Sequence, residues 1–142
     1  MDFHIKRTWQ SIAKMYNEQA AKYDATMATG YVLLNIDKEN GTPSTSLGPK
    51  MGMEATSLSR ILKNMEERGL IERKRNPIDG RSVLVYLTDF GLEKRADAKQ
   101  AVVTFNQAVH SAIPDEKMEV FFEVIRKIDE LITNRKIYLK EL

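Results

Sequence analysis

Apolar residues recur along most of this chain at steps of three and four, and only one stretch alternates instead. Over 3–23, Ile5, Trp9, Ile12, Tyr16 and Tyr23 share a helical face. A second helix is expected at 27–38, capped by Asp24 or Thr26, with Met27, Tyr31, Leu34 and Asp37 along one side and Leu33 and Ile36 beside them. Asn40-Gly41-Thr42-Pro43 ends it as a turn. Residues 44–52 predict a short helix capped by Ser44, shortened or distorted by Gly48-Pro49. A firm helix follows at 54–68, with Leu58, Ile61, Leu62 and Met65 as its apolar stripe, Gly69 as its left-handed stop and Leu70 folding back onto the stripe. The alternating stretch lies beyond: strands at 71–75 and 83–87 around Asn76-Pro77-Ile78-Asp79-Gly80, which is turn chemistry. Thr88 caps a helix at 89–111 that buries Phe90, Ala98, Val102, Phe105 and Val109. Pro114 opens a last helix whose Met118, Phe121, Ile125, Ile128 and Ile132 form a seam suited to helix-to-helix packing.

The expected fold is therefore mainly α with a small β-hairpin. A hairpin alone is too small to be stable and must rest on the helices as a wing does. The 142 residues suit one domain with dimerising extensions. A formal charge of +2 says little, but its distribution says more. Arg73, Lys74, Arg75 and Arg81 gather at the hairpin, while Glu116, Glu119, Glu123 and Glu130 lie in the last helix. The chain has no cysteine, which excludes disulfides, thiolate zinc sites and thiol redox sensing. No apolar run approaches a membrane span and the N-terminus lacks a signal-peptide core, so a cytoplasmic protein is expected.

A helix followed by a cationic hairpin is the order of a winged helix-turn-helix. With its stripe buried, helix 54–68 presents Ala55, Thr56, Ser57, Ser59, Arg60 and Lys63 outward near its N-terminal end. Small hydroxyl residues let a backbone approach a groove floor, and arginine can pair with guanine through two hydrogen bonds. A polar outer face is equally what an ordinary surface helix carries. The hairpin cations either protect edge strands or, as at Arg81, enter a minor groove. Asp79 cannot hold a phosphate; it either caps the turn or orients an arginine.

Leu70-Ile71-Glu72-Arg73, Asp79-Gly80-Arg81 and Leu87-Thr88-Asp89-Phe90-Gly91 together resemble the wing of the MarR family, the multiple antibiotic resistance regulators. That pattern reads leucine-hydrophobic-x-arginine, aspartate-x-arginine, leucine-threonine-x-x-glycine. Ser57-Leu58-Ser59-Arg60 resembles the family's recognition helix. The resemblance implies a homodimer of winged helix-turn-helix lobes (24–91), with 1–23 and 92–142 forming a helical dimerisation lobe. Carried over, Ser57, Ser59 and Arg60 face the major groove, Arg81 enters the minor groove and Asp79 braces the wing; Thr56, Lys63, Arg73 and Arg75 complete the expected DNA-binding set. Glu54 departs from the family's serine-like cap, and Gly48-Pro49 from its alanine-led pair.

The family also implies a pocket for a small aromatic or anionic effector, for which Trp9, Met15, Tyr16, Tyr23, Met27, Tyr31 and Met51 are the candidates. Aromatic and methionine stripes also serve as plain core. His4 and His110 suggest no metal pair, and no acid, base and nucleophile stand together, so neither cofactor nor enzymatic activity is expected. The reading is a sequence-specific, homodimeric DNA-binding transcription regulator, a repressor relieved by a small molecule. Its two recognition helices would enter successive major grooves of a pseudo-palindromic duplex, about 34–36 Å apart. The rivals are a winged protein-interaction module and a regulator that needs no ligand.

Overall fold

In the computed structural model, which describes residues 1–134 and Ile137, the chain opens with a long helix, α1 (Asp2–Ala21). It stops where Asp24 takes a left-handed φ of 58° and the Ala25 N–H donates back to the Ala20 carbonyl at 3.1 Å. Thr26 rather than Asp24 caps α2 (Met27–Asn35), its hydroxyl accepting the Thr29 N–H at 3.2 Å. Asn17 Oδ1 accepts the Met27 N–H at 2.9 Å and ties the two helices.

The buried side of α2 is Thr29, Val32 and Leu33, continued by Ile36; of the expected residues Leu33 and Ile36 are thus inside, whereas Met27, Tyr31 and Leu34 are half-buried and Asp37 is exposed. The helix also ends sooner than expected. Asp37 turns its carboxylate back to accept the Glu39 and Asn40 N–H groups at 2.8 and 3.0 Å, which offers the backbone an alternative to helix.

The expected turn at Thr42–Pro43 is a short strand, β1. Its Thr42 is buried and its hydroxyl accepts the Asp37 N–H at 2.8 Å; an edge is also where proline is tolerated in a sheet. Helix α3 (Ser44–Met51) is capped at Pro43, not Ser44, and carries Pro49 inside it. It is short, as expected.

Helix α4 (Ala55–Glu67) buries Leu58, Leu62 and Met65, with Ile61 half-buried beside them. Gly69 at φ 72° ends it, and the Leu70 N–H reaches the Met65 carbonyl at 2.9 Å, the six-to-one bond of a Schellman turn. Strands β2 (Ile71–Arg75) and β3 (Val83–Leu87) pair antiparallel from Ile71↔Leu87 to Arg75↔Val83, and β1 joins the other edge of β3 through Thr42↔Val85. The sheet order is β1-β3-β2, so the hairpin rests on a third strand. The core gathers Val32, Leu33, Ile36, Leu47, Leu58, Leu62, Met65, Leu70, Ile71 and Val85.

Helices α5 (Asp89–Ala112) and α6 (Asp115–Thr133) follow. Thr88 fixes the start of α5 to the corner between α4 and β2. Its N–H donates to the Leu70 carbonyl at 3.2 Å, its hydroxyl donates to the Gly69 carbonyl at 2.5 Å and accepts the Gly91 N–H at 3.0 Å. Gly91 is buried there, and a Cβ on it would lie 1.9 Å from the Leu70 oxygen. Further along, the Arg95 guanidinium donates to the Leu33 and Leu34 carbonyls at 2.8 and 3.1 Å, satisfying the C-terminal end of α2. Phe90, expected inside, is 44% exposed.

Two compact units divide the chain, Met1–Val102 and Val103–Leu142. The second contains α6, in which no residue is buried; Met118, Ile125 and Ile128 are half-buried, and Phe121, Phe122 and Ile132 are exposed. Residues 135–136 and 138–142 of the expected dimerisation segment lie outside the described residues. Among the described residues no helix is long and apolar enough to cross a membrane.

Gly91→Ala is expected to destabilise the fold by about 1–3 kcal/mol or more, because backbone rather than a flexible side chain blocks the added methyl. Urea unfolding of the two proteins measures it.

Candidate nucleic-acid interface

The outer face of α4 follows from its stripe. Leu58, Leu62 and Met65 face inward, leaving Ala55, Thr56, Ser57, Ser59, Arg60 and Lys63 all exposed. Glu54 occupies the cap position, but its side chain makes no capping bond, so the leading N–H groups of the helix keep no side-chain partner there. The Arg60 side chain has no hydrogen bond or ion pair among the described residues; Lys63 stands 4.0 Å from Glu67 in an exposed i,i+4 pair.

The wing cations separate by what holds them. Arg73 Nε and Nη2 both donate to Glu66 Oε2, at 2.9 and 2.5 Å, joining β2 to the last turn of α4. The Arg73 guanidinium, hydrogen-bonded to it, holds the Glu66 carboxyl below the usual carboxylate range, and Glu66 in turn raises the Arg73 pKa. Lys74 pairs with Glu72 at 2.8 Å and lies 5.2 Å from the Tyr86 ring centre. Arg75 Nε donates to the Gly80 carbonyl at 2.9 Å and so shapes the tip. Among the described residues the Arg81 side chain alone of these four has no such partner, and it is exposed.

Asp79 caps the turn, the first of the two roles left open for it. Its Oδ1 accepts the Arg81 backbone N–H at 3.1 Å, and its carbonyl accepts the Ser82 N–H at 3.0 Å. Asn76 closes the tip from the other side. Its N–H donates to the Ser82 carbonyl at 3.0 Å and its Oδ1 accepts the Ile78 N–H at 3.0 Å.

Of the effector-pocket candidates, the fold brings Tyr16 and Tyr31 together. Burial pushes both phenols up, and for Tyr16 the nearness of Tyr31 adds to it. Trp9 and Tyr23 are half exposed, at 47% and 49%, and Tyr23 lies under the Lys94 ammonium at 5.1 Å. Met27 and Met15 are half-buried, and Met51 packs on the core. A groove of about 580 Å³ lies elsewhere, between α3 and α4, lined by Thr45, Pro49, Met53, Glu54, Leu58 and Ser59 among others. None of the aromatic candidates borders it.

Sequence reasoning missed Glu66 and Arg95. Glu66 finds Arg73 seven residues away across a chain reversal, where no helical or strand period applies. Arg95 finds its carbonyls 61 and 62 residues away, and nothing local marks it.

Comparison with known proteins agrees with this geometry. The MarR family model matches residues 26–83, from the cap of α2 to the start of β3. The HTH-type transcriptional regulator SarZ of Staphylococcus saprophyticus is 30% identical over 109 residues, 73% of this chain and 74% of that relative. The chain belongs to the MarR family. Two solved structures of similar fold bear on the site. The PcaV transcriptional regulator from Streptomyces coelicolor, in complex with its natural ligand, has a TM-score of 0.75 at 25% identity, covering 89% of each chain. Overoxidized AbfR bound to DNA has a TM-score of 0.69 at 26% identity, covering 91% of this chain and 90% of that one. Against some curated relatives the match spans less, 55% of the length of one and 66% of another.

The Glu66–Arg73 pair predicts a pH dependence. Its carboxyl has a lower pKa folded than unfolded, so the stabilisation is complete above the unfolded carboxyl range and is lost as pH falls through the depressed folded value. Glu66→Gln is expected to lower the urea midpoint near neutral pH, and its difference from the parent protein is expected to vanish in acid.

Proposed function

We propose that this MarR-family chain is a homodimeric, sequence-specific DNA-binding transcription regulator that acts as a repressor. One observation carries the reading: an exposed hydroxyl-rich helix face with Arg60 and a wing with Arg81 are joined through one turn, and neither arginine side chain has a partner among the described residues. Unpaired guanidinium groups are what base edges and phosphates require, whereas a partnered cation must first give up its carboxylate. That AbfR, a relative in fold, is bound to DNA in its structure supports the same use here.

In this reading Thr56, Ser57, Ser59, Arg60 and Lys63 meet the major groove, and Arg81 meets the flanking minor groove. Arg75 stiffens the tip and Arg73 orients the wing, so both support the contact more than they make it. The lobe 24–91 does the binding. Residues 1–23 and 92–142 pair two copies, a role supported by the exposed Phe121, Phe122 and Ile132 of α6 and by Phe3 and Trp9 of α1. Such apolar exposure on helices of one chain is what an obligate partner covers.

Relief of repression is assigned to a small aromatic or anionic molecule near Tyr16 and Tyr31, with Trp9, Tyr23 and Met27 in reach of the same helices; PcaV, bound to its natural ligand, supports that expectation. Thiol oxidation is not the signal, since the chain has no cysteine. The protein works in the cytoplasm, where its DNA is, and catalyses no reaction.

Selection of bound duplexes from a random library, followed by titration at several salt concentrations, tests the reading. Arg81→Ala is expected to weaken binding and to lower the salt slope by about one. Arg60→Ala is expected to cost about 1–3 kcal/mol and to relax base preference at one position of each half-site. Failure of the parent protein to bind any selected duplex refutes the function. Equal loss on all sequences from Arg60→Ala moves that residue to the backbone.

A further inference from the structure

At the far end of the wing one side chain is covered by nothing among the described residues. Ile78 is 96% exposed, more than any other large apolar residue among the described residues. Scattered surface hydrophobics are ordinary, but they seldom stand clear of everything else. This one is also held in place. Pro77 restricts the backbone before it, its own N–H donates to Asn76 Oδ1 at 3.0 Å, and the loop is closed on both sides. The Asn76 N–H reaches the Ser82 carbonyl at 3.0 Å, Asn76 Nδ2 reaches Ser82 Oγ at 2.9 Å, and Arg75 Nε reaches the Gly80 carbonyl at 2.9 Å. A loop with that many internal bonds loses little freedom when it docks.

The surroundings of Ile78 identify what it fits. Exposed Arg75 and Arg81 flank it in sequence, and the one neighbouring carboxylate, Asp79, accepts the Arg81 N–H. The complementary surface therefore has an anionic rim and apolar walls close enough together to grip one branched side chain. The minor groove of a duplex has those features, with phosphates outside and sugar walls within, and proteins that bind it frequently insert apolar side chains.

We propose that Ile78 is a minor-groove probe: it seats between the sugars beside the major-groove half-site and gives the protein a preference for flanks whose minor groove is free of amino groups. The proposal rests on the DNA-binding reading above and adds a residue that selects sequence through shape. Guanine places its N2 amino group on the groove floor, where it obstructs an aliphatic side chain; adenine and thymine leave that floor clear. Arg81 supplies attraction at the same place, but charge alone does not distinguish a filled floor from an open one at fixed groove width.

The test uses the full chain and the tightest duplex recovered from a random library, remade with A·T, G·C or inosine·C flanks. Inosine keeps the major-groove face of guanine and lacks the N2 amino group. The parent protein is expected to bind the A·T and inosine·C flanks about tenfold more tightly than the G·C flank, the scale of burying one aliphatic side chain. Ile78→Ser is expected to bind all three equally, at the level of the G·C flank, with its salt slope unchanged because no charge is removed. Its melting temperature serves as the folding control and is expected to match the parent's. Ile78→Ser with parental affinity and flank preference overturns the proposal, as does a parent that treats inosine·C like G·C. Either result leaves the DNA-binding reading standing, provided the parent binds the duplex. If it binds none, that reading fails first.

Discussion

Helix α4 and the wing share one corner, and that corner exists because nothing larger than hydrogen fits between Gly91 and the Leu70 carbonyl. Gly69 reverses the chain, Leu70 and Ile71 bury themselves in the core, and Thr88 holds both ends of the turn through its backbone and hydroxyl. The start of α5 is thereby pressed against the end of α4. The direction in which β2 leaves the helix follows from these contacts, and with it the place where the wing tip stands. Leucine-threonine-x-x-glycine is thus a description of a joint: the threonine ties it and the glycine lets it close.

Electrostatics then divides the surface into parts that shape and parts that reach. A net charge of +2 conceals this division. Arg73, Lys74 and Arg75 each have a partner within the chain, and their positions serve the geometry of the wing. Ion pairs this exposed add little to stability. Their effect is on orientation, since Glu66 and Arg73 link helix to strand across the corner. Arg60 and Arg81 have no partner among the described residues, and they stand at the two ends of the proposed contact.

Much of this was legible in the chain. The stripe of α4, the stop at Gly69, both strands of the wing and the Thr88 and Pro114 helix starts all rest on local rules, and each lies where those rules put it. What escaped depends on distance. Strand β1 is two residues long and is a strand only because β3 lies beside it. The buried face of α2 is decided by the helices packed on it, α1, α3 and α4, and Val32 outranks Tyr31 because of where they are. Periodicity also cannot say which chain covers an apolar stripe. Trp9, Tyr23, Phe90 and Phe121 satisfy a helical pattern and are still exposed in one copy. Among the site residues, type and spacing identified the cations but not their partners within the chain, such as the Glu66 that Arg73 binds.

The short reach of β1 has a mechanical meaning. It pairs with Val85 and Leu84 and goes no further, so the third strand braces the middle of β3, one residue from the tip-side end of the hairpin. Two-stranded ribbons twist and flex more readily than wider sheets. The wing is thus an arm splinted at mid-length, with its internally bonded tip carried just past the splint. A tip so close to its splint has little ribbon left to twist, and it keeps its setting relative to the strands that bear it.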